Sequence, residues 1–372
     1  MERERIKTSA LSRLNWLFVV SAILLCAIGL LNLYSAELYW GASNTHRIFL
    51  NQLLWVGIGV LSAIFFSFLF DYHLLERMAN LIYVVTLVML ILVLLFGKTV
   101  AGHRSWLGVG GLGVQPAEFA KLALVIMLSK FFANNPHPEG MTLKELPIPF
   151  IYSFLPAALI IFQGDLGSTV FFGLIFFTYV WFGKLRSKTA ALMMFAAIAL
   201  ALFFYLFAMS SYQKARIRVF LDPSYDVTGS GYHLTQSKVA VGSGGFMGKG
   251  YMHGSVNKLK YLPEKHTDFI FPVFAEEWGF VGSFLLLLIF FIFFMSGLEI
   301  AKSARDRFGI FMGIGILGLI FWHVVINIGG VLGIMPLTGV PLPFFSYGGS
   351  FTLTLMSSIG ILVNASRKRH MF

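Results

Sequence analysis

Apolar residues in this chain come in long runs separated by short polar turns. The runs fall at 16 to 36, 49 to 70, 78 to 97, 116 to 134, 146 to 163, 166 to 183, 189 to 210, 273 to 297, 308 to 332 and 346 to 365. A helix needs about 20 predominantly apolar residues to cross a hydrocarbon core about 30 Å thick, and each run is close to that length. The pattern predicts an all-α polytopic membrane protein of about ten transmembrane helices, forming one domain over residues 1–372. One polar interruption is far longer than the others. It runs from about residue 210 to about residue 272, between the seventh and eighth predicted helices.

Composition agrees with this reading. The chain is 57% hydrophobic and 12% charged, whereas a soluble domain carries about 25% charged residues. The first run follows Arg3, Arg5, Lys7 and Arg13, as a signal peptide would, but it exceeds the roughly 7 to 15 apolar residues of a signal core and no A-x-A site follows. It is expected to remain as the first transmembrane helix. Cys26, the single cysteine, lies inside that helix, so no intrachain disulfide can form. The net charge of +11 is assigned to membrane orientation and anionic lipid, not to nucleic acid.

An even number of spans puts both termini on one side. The clusters Lys184, Arg186, Lys188, then Lys302, Arg305, Arg307, then Arg367, Lys368, Arg369 join the basic N-terminus there and mark that side as cytoplasmic. The long segment then lies outside despite its eight Lys and Arg residues, because loops of about 60 residues translocate largely regardless of charge. Its cations suit either an anionic ligand or acidic headgroups, and on charge alone both readings stand.

Two glycine patterns imitate nucleotide sites. Gly108, Gly110 and Gly113 spell G-x-G-x-x-G but follow a transmembrane helix, not the strand of a βαβ unit. Gly244, Gly245, Gly248 and Lys249 resemble a P-loop, yet Ser243 takes the first glycine position and Gly250 replaces the metal-binding hydroxyl. Both are read as compact turns.

Charged residues inside or beside the predicted helices carry the chemistry. Glu118 and Lys121, three apart on the fourth helix, share a face as an ion pair; either they tie helices together or they act directly. Asp165, in a short outer turn, either caps the helix that begins near Leu166 or meets substrate. The densest polar cluster is Glu264, Lys265, His266, Thr267 and Asp268, followed by Glu276 and Glu277. In extended chain Glu264, His266 and Asp268 project to one side, which is compatible with a metal but is no specific signature. Asp268 lies just ahead of a helix start signalled by Pro272, and spacing alone leaves cap and catalyst equally open. Arg216, Arg218, Lys238, Lys249, Lys258, Lys260 and Lys265 accompany this cluster, with Tyr212, Phe220, Tyr225 and Tyr232 among them. Cations of this kind suit a pyrophosphate.

Taken in order, the motifs resemble the SEDS family (shape, elongation, division and sporulation proteins such as RodA, FtsW and SpoVE) along almost the whole chain. They are Gly102-His-Arg-Ser-Trp106, Gln115-Pro-Ala-Glu-Phe-Ala-Lys121, Gln163-Gly-Asp-Leu-Gly167, Tyr212-Gln with Arg216 and Phe220-Leu-Asp-Pro223, Gly231-Tyr-His233 with Gln236-Ser237, Gly244 to Gly250, Leu262 to Phe271, Glu276 to Phe280, and Pro341 to Ser350. Gly248-Lys-Gly250 and the short termini are nearer the RodA branch. Gly164 and Ser168 depart from the family's usual Q-P-D-L-G-T, and Asn257 stands where Gln is expected. The resemblance implies a peptidoglycan glycosyltransferase of the bacterial inner membrane, with both termini cytoplasmic, that polymerises lipid II on the outer face for cell-wall elongation. It also implies that Asp268 is the essential aspartate, that Glu118, Lys121 and Asp165 support activity, and that a class B penicillin-binding protein is the partner. Gln236 and Ser346 enter as supporting residues through their motifs.

The reaction fits these residues. The C4 hydroxyl of an acceptor GlcNAc displaces lipid pyrophosphate from a donor MurNAc with inversion. Pyrophosphate leaves without the acid that a glycoside hydrolase needs, so one base and several cations suffice. An aspartate with an ordinary pKa near 3.9 needs partial burial to serve as that base. Arg104, Lys121, Arg216 and Lys249 are the cations considered for the phosphates. No organic cofactor is expected, and a divalent cation is compatible with the chemistry. The rival readings are a lipid II flippase, which should hold its site near the midplane, and a noncatalytic scaffold for the penicillin-binding protein.

Overall fold

The computed structural model describes residues 15–37, 46–100, 103–109, 112–208, 211–226, 229–255 and 266–368. The helices are α1 (Trp16–Glu37), α2 (Arg47–Ile64, continued by a π turn Phe65–Leu69), α3 (Tyr72–Phe96), α4 (Pro116–Asn134), α5 (Pro147–Phe162), α6 (Leu166–Phe182), α7 (Ser187–Phe203, with a π turn Phe204–Ala208), α8 (Ser211–Leu221), α9 (Ser230–Ser243), α10 (Ile270–Lys302), α11 (Arg307–Leu332) and α12 (Gly349–Lys368). Every predicted apolar run falls on a helix. Among the described residues six helices are long and apolar enough to cross a membrane by length and composition, and α5 and α6 are shorter apolar helices.

The boundaries follow local chemistry. Asp71, Asp165 and Asp306 sit at N-caps and accept backbone N–H bonds from His73 at 3.0 Å, Ser168 at 3.0 Å and Gly309 at 2.6 Å. Pro116 and Pro147 occupy first turns, where their missing N–H costs nothing. The buried Glu37 carboxylate at the end of α1 accepts the N–H groups of Ile48 and Phe49 at 2.8 and 2.7 Å, which places a negative charge at the positive end of α2.

Three expectations need correction. The stretch 98–114, expected as an outer loop, forms an antiparallel sheet in the order β1 (Lys98–Val100), β2 (His103–Val109), β3 (Leu112–Val114). Within it Gly108 pairs with Gly113, so two glycines of the false nucleotide pattern face each other in a hairpin. The last helix begins at Gly349 instead of 346. The eighth predicted helix begins at Ile270, three residues early, and is broken at Gly279, where φ is 65°. Such a φ favours glycine, and the break frees backbone groups on either side. The glycine-rich turn after α9 binds them. Phe280 N and Val281 N donate to the carbonyls of Gly245 and Phe246 at 2.9 and 3.1 Å, while Lys249 N and Gly250 N donate to the carbonyls of Glu276 and Glu277 at 3.0 Å each.

α11 and α12 are the innermost spans. Within their most apolar windows 67% and 94% of residues are buried, against 17% in α2. α12 packs on α2, α11 on α4 and α6, and α1 on α10, where Phe18 and Phe293 stack at 4.7 Å. Between α11 and α12, residues 333–348 turn inward without regular structure, with Leu342 and Phe345 fully buried. Phe344 and Phe345 pack against Phe290, Phe293 and Phe274 of α10. A Cβ on Gly29 of α1 would lie 2.1 Å from the Phe344 carbonyl oxygen, so that helix can seat the segment only with glycine there. Gly29→Ala is expected to lower the unfolding midpoint of the detergent-solubilised protein, at a cost of roughly 1–3 kcal/mol. Gly57→Ala, whose new methyl group meets nothing within 4 Å, should leave the midpoint unchanged or raise it.

Candidate active site

Asp268, Ser346 and, through His323, the Glu118–Lys121 pair come together at the inward segment. Asp268 is half-buried in the turn ahead of α10, and Phe269, not Asp268, holds the N-cap position. Asn327 of α11 donates to the Asp268 carbonyl at 3.0 Å and to Val340 O at 2.7 Å. Ser346 Oγ donates to Thr267 O at 2.5 Å and accepts from the Leu342 amide at 2.7 Å. Tyr347 N donates to His266 O at 2.8 Å. From α1, Asn32 donates to Ile270 O at 3.0 Å. The backbone of 266–270 is therefore bonded to three other elements. Gly339 has a φ of 71°, and a Cβ there would lie 3.1 Å from Asp268 Oδ2; the carboxylate rests against bare backbone.

Asp165 sits in a turn that lies against the same segment. Its carboxylate accepts from Ser168 N at 3.0 Å and Ser168 Oγ at 2.7 Å, which is the capping role considered above, and Gln115 Nε2 approaches its Oδ2 at 3.4 Å. A Cβ on Gly167 would lie 2.6 Å from Thr338 O, so this turn abuts the residue next to Gly339. β2 is bonded to the start of this turn, with Arg104 N donating to Gln163 O at 3.1 Å.

Glu118 and Lys121 form the ion pair that their spacing suggested, at 2.9 Å, with only 4% and 1% of each residue exposed. The pair has a third member, His323, which no motif in the sequence marks. Lys121 Nζ also lies 3.1 Å from His323 Nε2, and His323 Nδ1 lies 3.3 Å from Pro341 O. Lys121 further faces the Phe171 ring at 4.7 Å. Buried among these partners, the ammonium is placed to anchor the inward segment and is turned away from solvent.

The other predicted cations vary. Lys249 bonds to Glu276 at 2.6 Å, Ser243 at 2.8 Å and Ser255 at 2.7 Å, with the Glu276 carboxylate fully buried; its ammonium fastens the glycine turn to α10. Beside it Glu277, also buried, accepts from Ser35 of α1. Arg104 is exposed and donates to Leu94 O at 3.1 Å, near the end of α3, where a cation complements the helix carbonyls. Arg216 lies on α8 with its side chain outside the described residues. Gln236 is half-buried on α9, next to Ser237, whose Oγ donates to Val331 O at 2.7 Å. Lys238 overlies Gly333 at the end of α11. His233, one turn before, has its ring 6.3 Å from that of Phe269, and burial pushes its imidazole below the usual value against a smaller upward pull from Asp226. Among the described residues no group of three His, Cys, Asp or Glu side chains is arranged to hold a metal; Glu264 of the triplet considered above lies outside them. Two open clefts, of about 940 and 330 Å³, lie at the other end of the helices, around Arg186 and Arg307.

Comparison with known proteins covers the same span. The sequence profile of the FtsW/RodA/SpoVE cell cycle proteins matches residues 15–371. The peptidoglycan glycosyltransferase MrdB of Escherichia coli is 37% identical over 352 residues, 94% of each chain. The stage V sporulation protein E of Bacillus subtilis is 38% identical over 358 residues, 94% of this chain and 96% of that one. Among solved structures, a chain from a study of polymerization and crosslinking by a peptidoglycan synthase complex superposes with a TM-score of 0.83 at 28% identity, covering 96% of this chain and 99% of that one. The crystal structure of the Thermus thermophilus rod shape determining protein RodA superposes with a TM-score of 0.71 at 26% identity, over 96% and 98% of the two chains. The chain belongs to the FtsW/RodA/SpoVE family of cell cycle proteins.

Proposed function

We propose that this chain is a peptidoglycan glycosyltransferase that polymerises lipid II on the outer face of the bacterial inner membrane, with Asp268 as its general base. The observation that carries the reading is the setting of Asp268: a half-buried carboxylate at the head of α10, against the bare backbone of Gly339, with its own backbone bonded to α11. Relatives that align over 94% of the chain bear the name of this activity.

In this reading the acceptor GlcNAc C4 hydroxyl gives its proton to the Asp268 carboxylate as its oxygen attacks the anomeric carbon of the donor MurNAc. The bond from that carbon to the phosphate oxygen breaks, and undecaprenyl pyrophosphate departs with the electron pair, which inverts the anomeric configuration. A base positioned in this way contributes about 10²- to 10⁴-fold. Arg104 and Arg216 are the cations proposed for the developing charge on the phosphates; Lys121 and Lys249 serve the scaffold. A divalent cation would neutralise charge on the departing pyrophosphate; among the described residues no cluster of carboxylates or histidines is arranged to hold one, and a chelator tests whether the reaction needs it. The basic clusters at 184–188, 302–307 and 367–369 orient both termini to the cytoplasm, and a class B penicillin-binding protein is the proposed partner.

A lipid II flippase would use intramembrane charges as a path, but Glu118, Lys121 and His323 are bonded to one another and to Pro341, which favours the enzyme. The purified protein, with its partner and lipid II, is expected to make glycan strands, and Asp268→Asn to lower the rate by about a hundredfold or more with its unfolding midpoint unchanged. Strand synthesis at the wild-type rate by that variant would remove Asp268 as base and favour a scaffold, and movement of labelled lipid II without polymer would favour transport. Gly339→Ala, which strains a positive φ and pushes on the carboxylate, is expected to slow polymerisation by about tenfold or more in the same assay.

A further inference from the structure

His323 lies inside an apolar helix, is 2% exposed, and touches no group that the proposed reaction consumes. Its surroundings determine its chemistry. The ring is clamped between Phe171 of α6, stacked at 3.8 Å, and Phe351 of α12, at 4.8 Å. Nε2 faces Lys121 Nζ at 3.1 Å. An ammonium has three donors and no acceptor, so Nε2 must accept. The proton of the neutral ring then resides on Nδ1, which donates to Pro341 O at 3.3 Å. Asn327, four residues on and therefore on the same face of α11, takes Val340 O and Asp268 O. One face of α11 thus grips Val340 and Pro341 just beyond Gly339, the residue that backs the Asp268 carboxylate.

We infer that His323 is a positioning residue for glycosyl transfer: Lys121 imposes its Nδ1–H tautomer, and that N–H holds the Gly339–Pro341 backbone against Asp268. The inference rests on the reading of Asp268 as base. It gives the Glu118–Lys121 pair a function different from phosphate binding, namely orienting a histidine that in turn orients the wall of the site. Hydrogen bonds that set a histidine tautomer through its far nitrogen are a general device for orienting the near one.

His323→Phe keeps a ring between Phe171 and Phe351 but removes both nitrogens. His323→Gln keeps one acceptor for Lys121 and one donor for Pro341. Measured on the full-length protein with its partner and lipid II, His323→Phe should lower kcat by about tenfold or more with KM changed by less than about threefold, and His323→Gln should recover kcat to within about threefold of wild type. Wild-type kcat in His323→Phe, a loss confined to KM, or failure of His323→Gln to recover activity while it remains folded overturns the inference. ¹⁵N NMR of histidine-labelled protein in nanodiscs provides a readout independent of turnover, the His323 signals being those missing from His323→Gln among the nine histidines. A protonated Nδ1 with a bare Nε2 is expected, and a protonated Nε2 overturns the inference even if His323→Phe does not fold. Should Asp268→Asn be inactive while His323→Phe turns over normally, only the role of His323 fails; normal turnover by Asp268→Asn removes the reading beneath it.

Discussion

The structure depends on one constraint: backbone that enters a helical bundle without being helical must find hydrogen-bond partners there. Residues 333–348 meet it with side chains from the surrounding helices. Gln52 of α2 accepts from Gly348 N at 3.1 Å and donates toward Ser346 O at 3.4 Å, Asn327 takes Val340 O, His323 takes Pro341 O, and Ser346 bonds within the segment to Leu342 N. The polar residues embedded in the apolar helices are the means by which an irregular segment can occupy the interior. The same segment binds the carbonyl of Thr267 and approaches the carboxylate of Asp268, so a requirement of folding also places the proposed base.

The second consequence concerns charge. A buried ion must be paired and hydrogen-bonded, and among the described residues the two lysines that pair with buried carboxylates each fix a loop. Lys121, with Glu118, reaches the inward segment through His323. Lys249, with Glu276, closes the glycine turn over the break at Gly279. That break divides α10 into a short head, which Asp268 precedes by two residues, and a long membrane helix behind it. The head is held at its base by Lys249–Glu276 and Ser35–Glu277, and at its tip by Asn32, Asn327 and Ser346.

Much of this was legible in the chain. The apolar runs located the helices because a bilayer leaves helical backbone little alternative, and the spacing of Glu118 and Lys121 on one face gave their pair. The sheet over 98–114 was not legible, since its strands are three to seven residues long and interrupted by glycine, too short for an alternating pattern to register. His323, Asn327, Gln52 and Asn32 were missed for a different reason. A single uncharged polar residue scarcely lowers the hydropathy of a twenty-residue run, although its very presence in an apolar helix was the available signal. Lys249 looked like a ligand for phosphate because a sequence records a charge without its partner, here Glu276. The motif from Pro341 to Ser350 was recognisable, but only the fold reveals that it bonds the carbonyls of His266 and Thr267 just ahead of Asp268.

Backbone hydrogen exchange of Ser346→Ala in nanodiscs tests whether the inward segment holds Asp268 in place. Among the described residues Ser346 is the one side chain that bonds both to Leu342 N and to Thr267 O. Exchange is expected to be faster at Leu342 and across residues 266–270 together, accompanied by slower glycan synthesis. Faster exchange at Leu342 alone, with residues 266–270 and the rate of synthesis unchanged, would contradict it.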